Sequence, residues 1–193
     1  MLHRRTLLMA GLATLAAPGN AHANSVSQQI DIGATVAGAC GMGNPDDEII
    51  ELGDLTDPDG TLKGDLTSAS ASGSTIIPDA WCNTPHKLTM EATPMTLQAP
   101  PAYAQPSYMA RKVTYWARLK NWSPMGAISL RPHGGSDQSE NEFNSALAAQ
   151  SGGLTLEISQ LETLNQSNNE VSNLMLEVGD YKGTVTITLA TNP

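Results

Sequence analysis

Near the end of this 193-residue chain, Val185, Ile187 and Leu189 alternate with Thr184, Thr186 and Thr188. A period of two with β-branched residues on the pattern suits a pleated, half-buried strand and rules out a helix there. Short alternating runs recur at Glu48 to Leu52, Ser74 to Trp81, Lys87 to Ala92, Lys112 to Leu119, Ala127 to Leu130, Leu154 to Ile158 and Asn173 to Val178. Turn residues separate them. Asp57-Pro58-Asp59-Gly60 combines a proline that sets φ with a glycine free to take positive φ, and His133 to Glu142 and Asn165 to Asn169 are polar loops. Pro94, Pro100, Pro101 and Pro106 make the middle section a loop that contributes no central strand. This punctuation predicts an all-β, antiparallel sandwich. One short helix is expected from Glu142 to Gln150, where Phe143, Ala146 and Leu147 share a face. No internal repeat or linker divides the sequence into two domains.

A further alternating run, Gln29 to Val36, lies ahead of the first cysteine. Ile30, Ile32, Ala34 and Val36 fall on one face, and Gln29, Asp31, Gly33 and Thr35 on the other. With no hairpin partner beside it, this stretch must find backbone hydrogen bonds elsewhere.

The residues before it carry the pattern of a secretory signal: His3-Arg4-Arg5, an apolar stretch from Thr6 to Ala17, and a small-residue cleavage site at Ala21-His22-Ala23. The expected division is a cleaved signal over 1–23, an N-terminal extension over 24–38 and a β-domain over 39–193. The twin arginine at Arg4-Arg5 is a weaker alternative to general secretion. No later segment approaches the roughly 20 apolar residues of a membrane-spanning helix. The expectation is an exported chain that does not span a membrane.

Removing the signal takes away two arginines and no acid, so the formal charge goes from −9 to −11. That balance argues against nucleic acid, whose phosphates demand Lys and Arg, and against an anionic membrane surface. It suits a solvated surface and, more sharply, a basic partner.

Cys40 and Cys82 are the only cysteines. An even pair in an exported chain makes one intramolecular disulfide the default. The pair lacks the Cys-x-x-Cys spacing of a redox site, and with only His86 and His133 in the mature chain a zinc site lacks ligands. Asp54, Asp57 and Asp59 do not fit an EF-hand loop, because Leu55 stands where its first ligand should and no glutamate closes the pattern. No serine sits in Gly-x-Ser-x-Gly. His86 and His133 read as surface histidines rather than general bases, Asn121-Trp122-Ser123 matches a glycosylation acceptor only as a short pattern, and no cofactor is expected. Tyr115 and Trp116 are adjacent on one strand, so at most one of them is core. Trp81 is placed to cover a disulfide, and a sugar-binding platform is the functional alternative for Trp116 or Trp122.

Gln29-Ile30-Asp31-Ile32 through Cys40, Glu51-Leu52-Gly53-Asp54, Trp81-Cys82-Asn83-Thr84-Pro85, and Gly179 through Thr188 occur in that order. Together they resemble the spore coat protein U domain family, which includes the subunits of archaic chaperone-usher pili. The resemblance covers nearly the whole mature chain, and the closing Gly-Asp-Tyr-x-Gly-Thr strand is its most specific part. It implies an immunoglobulin-like (pilin-type) sandwich that lacks its final strand, with a Cys40–Cys82 disulfide. It also implies a periplasmic chaperone and an outer-membrane usher as transient partners, and identical or sister pilus subunits as final ones. Carried onto this sequence, the donor strand is Ile30, Ile32, Ala34 and Val36, and the acceptor groove includes Val185, Ile187 and Leu189. Two departures stand out: the tail Ala190-Thr191-Asn192-Pro193 continues past the expected apolar end, and Gly33 and Ala34 make the donor slim. The resulting expectation is a non-enzymatic subunit of a surface fibre, serving adhesion or biofilm formation. The alternative is a monomeric, self-complemented coat or ligand-binding sandwich. A third reading, an enzyme, lacks any nucleophile, base and orienting group that spacing would bring together.

Overall fold

The computed structural model describes residues 28, 29, 31–122, 127–133, 139–145 and 150–191. Contacts divide the chain into two units, 1–36 and 37–193. In the first, residues 28, 29 and 31–36 belong to no strand, and Ile32 and Val36 are 94% and 83% exposed.

The second unit is built of β-strands, which in chain order are β1 (Cys40–Gly41), β2 (Ala71–Cys82), β3 (His86–Ala92), β4 (Met95–Leu97), β5 (Met109–Ala110), β6 (Lys112–Lys120), β7 (Ile128–Leu130), β8 (Ser139–Ser145), β9 (Gln150–Leu164), β10 (Met175–Leu176), β11 (Tyr181–Lys182) and β12 (Val185–Thr191). The fold is all-β, as the alternation predicts. One sheet runs in the order β1-β2-β9-β6-β4-β11, with β7 also on β6. A second runs β12-β3-β8, and both are antiparallel throughout. The two-residue strands β5 and β10 form a small parallel pair.

The two sheets share one core. Ile77 and Ala80 of β2, Val113, Tyr115, Ala117 and Leu119 of β6, and Leu154, Leu156 and Ile158 of β9 meet Leu88, Met90 and Ala92 of β3. On β3 the alternation is complete: every second residue from His86 to Ala92 is buried. Tyr115 is core while Trp116 is half-exposed, so only one of the adjacent aromatics is buried.

Two bulges adapt the long ladder to its surroundings. Between Ile77↔Leu154 and Ala80↔Gly152, β2 carries Pro78 and Asp79 against one residue of β9, with Asp79 at φ 53°. A proline inside a strand is accommodated at such a site because no ladder donor is required of it. Between Thr114↔Glu162 and Trp116↔Ser159, β9 carries the extra residue. There Gln160 and Leu161 donate their N–H groups to Ser68 and Leu66 carbonyls at 3.2 and 2.9 Å, which ties the 61–70 loop to the sheet.

Several expectations need correction. Glu142 to Ser145 is not helical, and Ser139 to Glu142 of the expected polar loop is not loop: both belong to β8, paired with β3 from His86↔Ser145 to Ala92↔Ser139, and Gln150 opens β9. Residues 146–149 of that expected helix lie outside the described residues. A helix so short has little intrinsic stability, and a complete ladder with β3 satisfies the same backbone groups. Glu48 to Leu52 forms no strand. The Pro94 to Pro106 section does supply β4, three residues between β6 and β11 whose flanking prolines stay out of the ladder. Asn173 to Val178 shrinks to the two residues of β10.

The disulfide is present. Cys40 and Cys82 face each other directly in the β1–β2 pair, with Cα atoms 4.1 Å apart. Asn83 N–H donates to the Ala39 carbonyl at 3.0 Å, which makes the cysteines the close, non-hydrogen-bonded pair of the ladder. The Asn83 side chain reinforces the corner by accepting from Ala39 N–H at 2.6 Å and donating to the Ala37 carbonyl at 3.0 Å. Trp81 lies over Gly41, where a Cβ would sit 2.6 Å from the indole nitrogen, so any larger residue opposite this tryptophan would have to displace the ring.

Candidate functional site

Strand β12 presents a partly accessible apolar face. Val185, Ile187 and Leu189 are half-buried against the core, while Thr186, Thr188 and Ala190 are exposed. On one side β12 pairs with β3 from Val185↔Ala92 to Thr191↔His86; on the other it has no ladder partner among the described residues. Thr93 N–H donates to the Thr184 carbonyl at 2.9 Å. In an antiparallel ladder this places Thr186, Thr188 and Ala190 in the hydrogen-bonded pairs with β3. The N–H and C=O groups of Val185, Ile187 and Leu189 therefore point to the open edge, and their side chains turn toward the core.

Beside this edge lies a cleft of about 1460 Å³. Ile77, Tyr115, Leu156 and Ile158, from the larger sheet, line its floor, with Val185 and Ile187 on one wall. The other wall is the irregular segment 45–56, whose Ile50, Leu52 and Leu55 also pack on the core. That segment docks through specific bonds rather than a ladder. Asp46 N–H donates to the Ile76 carbonyl at 2.7 Å, and the Thr75 hydroxyl accepts from Asp47 N–H at 3.0 Å and donates to the Asp47 carbonyl at 3.1 Å. Gly73 allows the close approach, since a Cβ there would meet Ile50 Cγ2 at 2.4 Å. These substitutes for a ladder explain why Glu48 to Leu52 alternates without being a strand.

A polar cluster gathers around Glu177, which with Tyr181 lines the cleft. Glu177, 4% exposed, accepts from Arg111 Nε at 2.5 Å and from the Tyr103 hydroxyl, and the Arg111 guanidinium lies 5.2 Å from the centre of the Tyr103 ring. Arg111 and the Tyr103 hydroxyl hold the Glu177 carboxyl below its usual range, and that carboxylate in turn raises the Tyr103 hydroxyl. The Tyr181 hydroxyl reaches the Glu177 and Ala110 carbonyls at 2.8 and 3.1 Å; burial, with the Glu177 charge, pushes it up to about 12. Tyr115 is raised further by burial, and its hydroxyl donates to the Thr93 carbonyl at 2.7 Å. Fixed in this way, the cluster sets where segment 176–184 leaves β10 and enters β12. The sequence carries no local sign of it, because Tyr103, Arg111 and Glu177 are joined only by the fold.

The other candidate residues take structural roles. His86 is not a surface residue: it is 1% exposed, its Nε2 accepts from the Trp122 indole at 2.9 Å, and its Nδ1 faces the Thr84 carbonyl at 3.2 Å. Trp122 is itself 3% exposed, which removes it as a sugar platform. Arg131 lies 5.9 Å from the Trp116 ring centre while pairing with Glu162 and Glu170, so one face of that ring is already covered. His133 is more than half exposed and lies 3.3 Å from Glu170. Asp54 and Asp59 each accept from the N–H and hydroxyl of the threonine two residues on, which holds both carboxyls below their ordinary value and makes them turn-formers. Gly60 N–H closes the predicted turn onto the Asp57 carbonyl at 2.8 Å. Among the described residues no group of three His, Cys, Asp or Glu side chains is placed to hold a metal ion, and no helix is long and apolar enough to cross a membrane.

Of the expected donor residues, Ile32, Ala34 and Val36 are exposed and Ile30 lies outside the described residues. The expected acceptor residues Val185, Ile187 and Leu189 share one face of β12; Val185 and Ile187 line the cleft, while Leu189 packs on the core outside its lining. In comparisons with known proteins, no family model, curated protein or solved structure matches this chain.

Proposed function

We propose that this chain is a structural subunit of an exported surface fibre, assembled by strand exchange. Its body is read as an immunoglobulin-like sandwich lacking a final strand, and its N-terminal extension as the strand that completes the next copy or a sister subunit. The open edge of β12 beside an apolar cleft carries this reading. An unpaired edge beside an apolar cleft is an aggregation hazard that a donated strand removes, by bonding the free backbone groups and filling alternate pockets. The seven residues of β12 and the eight of Gln29 to Val36 have matching reach at about 3.3 Å per residue. The disulfide is compatible with export to an oxidising compartment. By its resemblance to chaperone-usher subunits, the chain would meet a periplasmic chaperone and an outer-membrane usher on its way to a fibre serving adhesion or biofilm formation.

The test is Ile32→Asp. Placing a charge on the donor's apolar face blocks polymer formation, followed by native ladders and electron microscopy, while the variant still accepts a synthetic peptide of residues 25–38. Polymers of undiminished length overturn the reading. A stable monomer whose 31–36 amides resist hydrogen exchange replaces it with a self-complemented sandwich.

A further inference from the structure

The cleft is apolar in its floor and acidic at its rim. Asp47, Glu48, Glu51, Asp54 and Asp57 line it on the 45–57 side and Asp180 next to Tyr181, all of these acids exposed. The lysines that line it are Lys63 and Lys182, and Lys63 is engaged by the Asp54 carbonyl at 2.6 Å and its carboxylate at 3.8 Å. A strand entering here would turn its apolar residues inward and its alternate residues outward, toward that rim. In the chain's own segment from Ser25 to Gly38 the outward set includes Asp31, and the segment contains no Lys or Arg. The donor and its acceptor therefore carry charge of the same sign.

We infer that the cleft selects strands by charge, and that its preferred occupant is an extended segment with alternating apolar residues and Lys or Arg on the outward face. The chain's own segment is then a slow ligand, restrained by repulsion until salt or a cationic partner relieves it. This rests on the reading of the cleft as a strand acceptor. Exposed charges of this kind act mainly on the rate of encounter, and their reach falls to about 10 Å at 0.1 M salt.

The experiment uses the full chain with its disulfide intact and three fluorescent peptides of residues 25–38: unchanged, Asp31→Asn and Asp31→Lys. Association is followed by stopped-flow anisotropy at low and high sodium chloride. The Asp31→Lys peptide associates faster than the unchanged one by on the order of 10-fold at low salt, with Asp31→Asn between them. High salt speeds the unchanged peptide, slows the lysine peptide and closes the gap. Glu48→Gln with Glu51→Gln in the body narrows the gap at low salt. Equal low-salt rates for the three peptides, or the unchanged peptide fastest, overturn the inference while leaving strand acceptance intact. If none of the peptides binds, the strand-acceptor reading fails and the charge selection falls with it.

Discussion

Strands β9 and β12 are built from the same kind of sequence and meet opposite fates. Leu154, Leu156 and Ile158 alternate with polar residues in β9 much as Val185, Ile187 and Leu189 do in β12. Yet β9 is hydrogen-bonded by β2 on one side and β6 on the other, whereas among the described residues β12 is bonded by β3 alone. Leu154 and Leu161 reach zero exposure, while the apolar residues of β12 remain half-buried. The inward face of a strand is written in its own residues. Whether both its edges are satisfied depends on what the rest of the chain delivers beside it, and here the chain delivers the irregular 45–56 segment.

The largest expected effect tests the closed side. Leu161→Ala removes a side chain with no exposure and should cost about 2–5 kcal/mol in denaturant unfolding. Ile187→Ala, on the half-buried face, should cost clearly less. Equal costs would mean that the β12 face is as fully packed as β9. Replacing Cys40 and Cys82 by alanine together should cost about 2–5 kcal/mol under oxidising conditions, and nothing further once a reductant is present.

The polar cluster around Glu177 gives a pH-dependent contrast. Because the folded-state carboxyl of Glu177 sits below its ordinary value of 4.5, its contribution is fully present above that value and is lost as pH falls through the lower folded value. Glu177→Gln should therefore lower stability near neutral pH and flatten the acid limb of a stability-versus-pH series. An unchanged acid limb would show that the Arg111 contact contributes little.

The smallest effect concerns single amides. In β12 those of Thr186, Thr188 and Ala190 should exchange slowly and those of Val185, Ile187 and Leu189 quickly, whereas amides on both edges of β9 should be protected. Uniform protection along β12 would mean that its outer edge is covered in solution.

Strands β2, β3, β6, β9 and β12 are legible in advance because apolar alternation repeats along them, whereas β8 is as long as β3 but its Ser-Glu-Asn-Glu-Phe-Asn-Ser sequence carries no apolar alternation and reads as loop and helix. The two-residue strands β1, β5 and β11 carry no such period, and β4 was hidden by its flanking prolines. Glu48 to Leu52 shows the converse: its pattern is that of a strand, but it is held by the Thr75 bonds to the preceding Asp47 and by close packing of Ile50 over Gly73. The disulfide followed from counting cysteines, and the Val185, Ile187 and Leu189 face from period alone. The buried pairing of His86 with Trp122, 36 residues apart, and the Glu177 cluster depend on contacts that only the completed topology creates.

The direct opposition of Cys40 and Cys82 also has a mechanical consequence. A pull applied between the N-terminal extension and β12 travels through the sulfur bridge and bypasses everything from Gly41 to Trp81. That bypassed stretch holds the cleft's 45–56 wall and nearly all of β2, so the wall does not lengthen under load while the bridge is intact. The 42-residue separation would otherwise release on the order of 140 Å of chain, a step that force spectroscopy would record only after reduction.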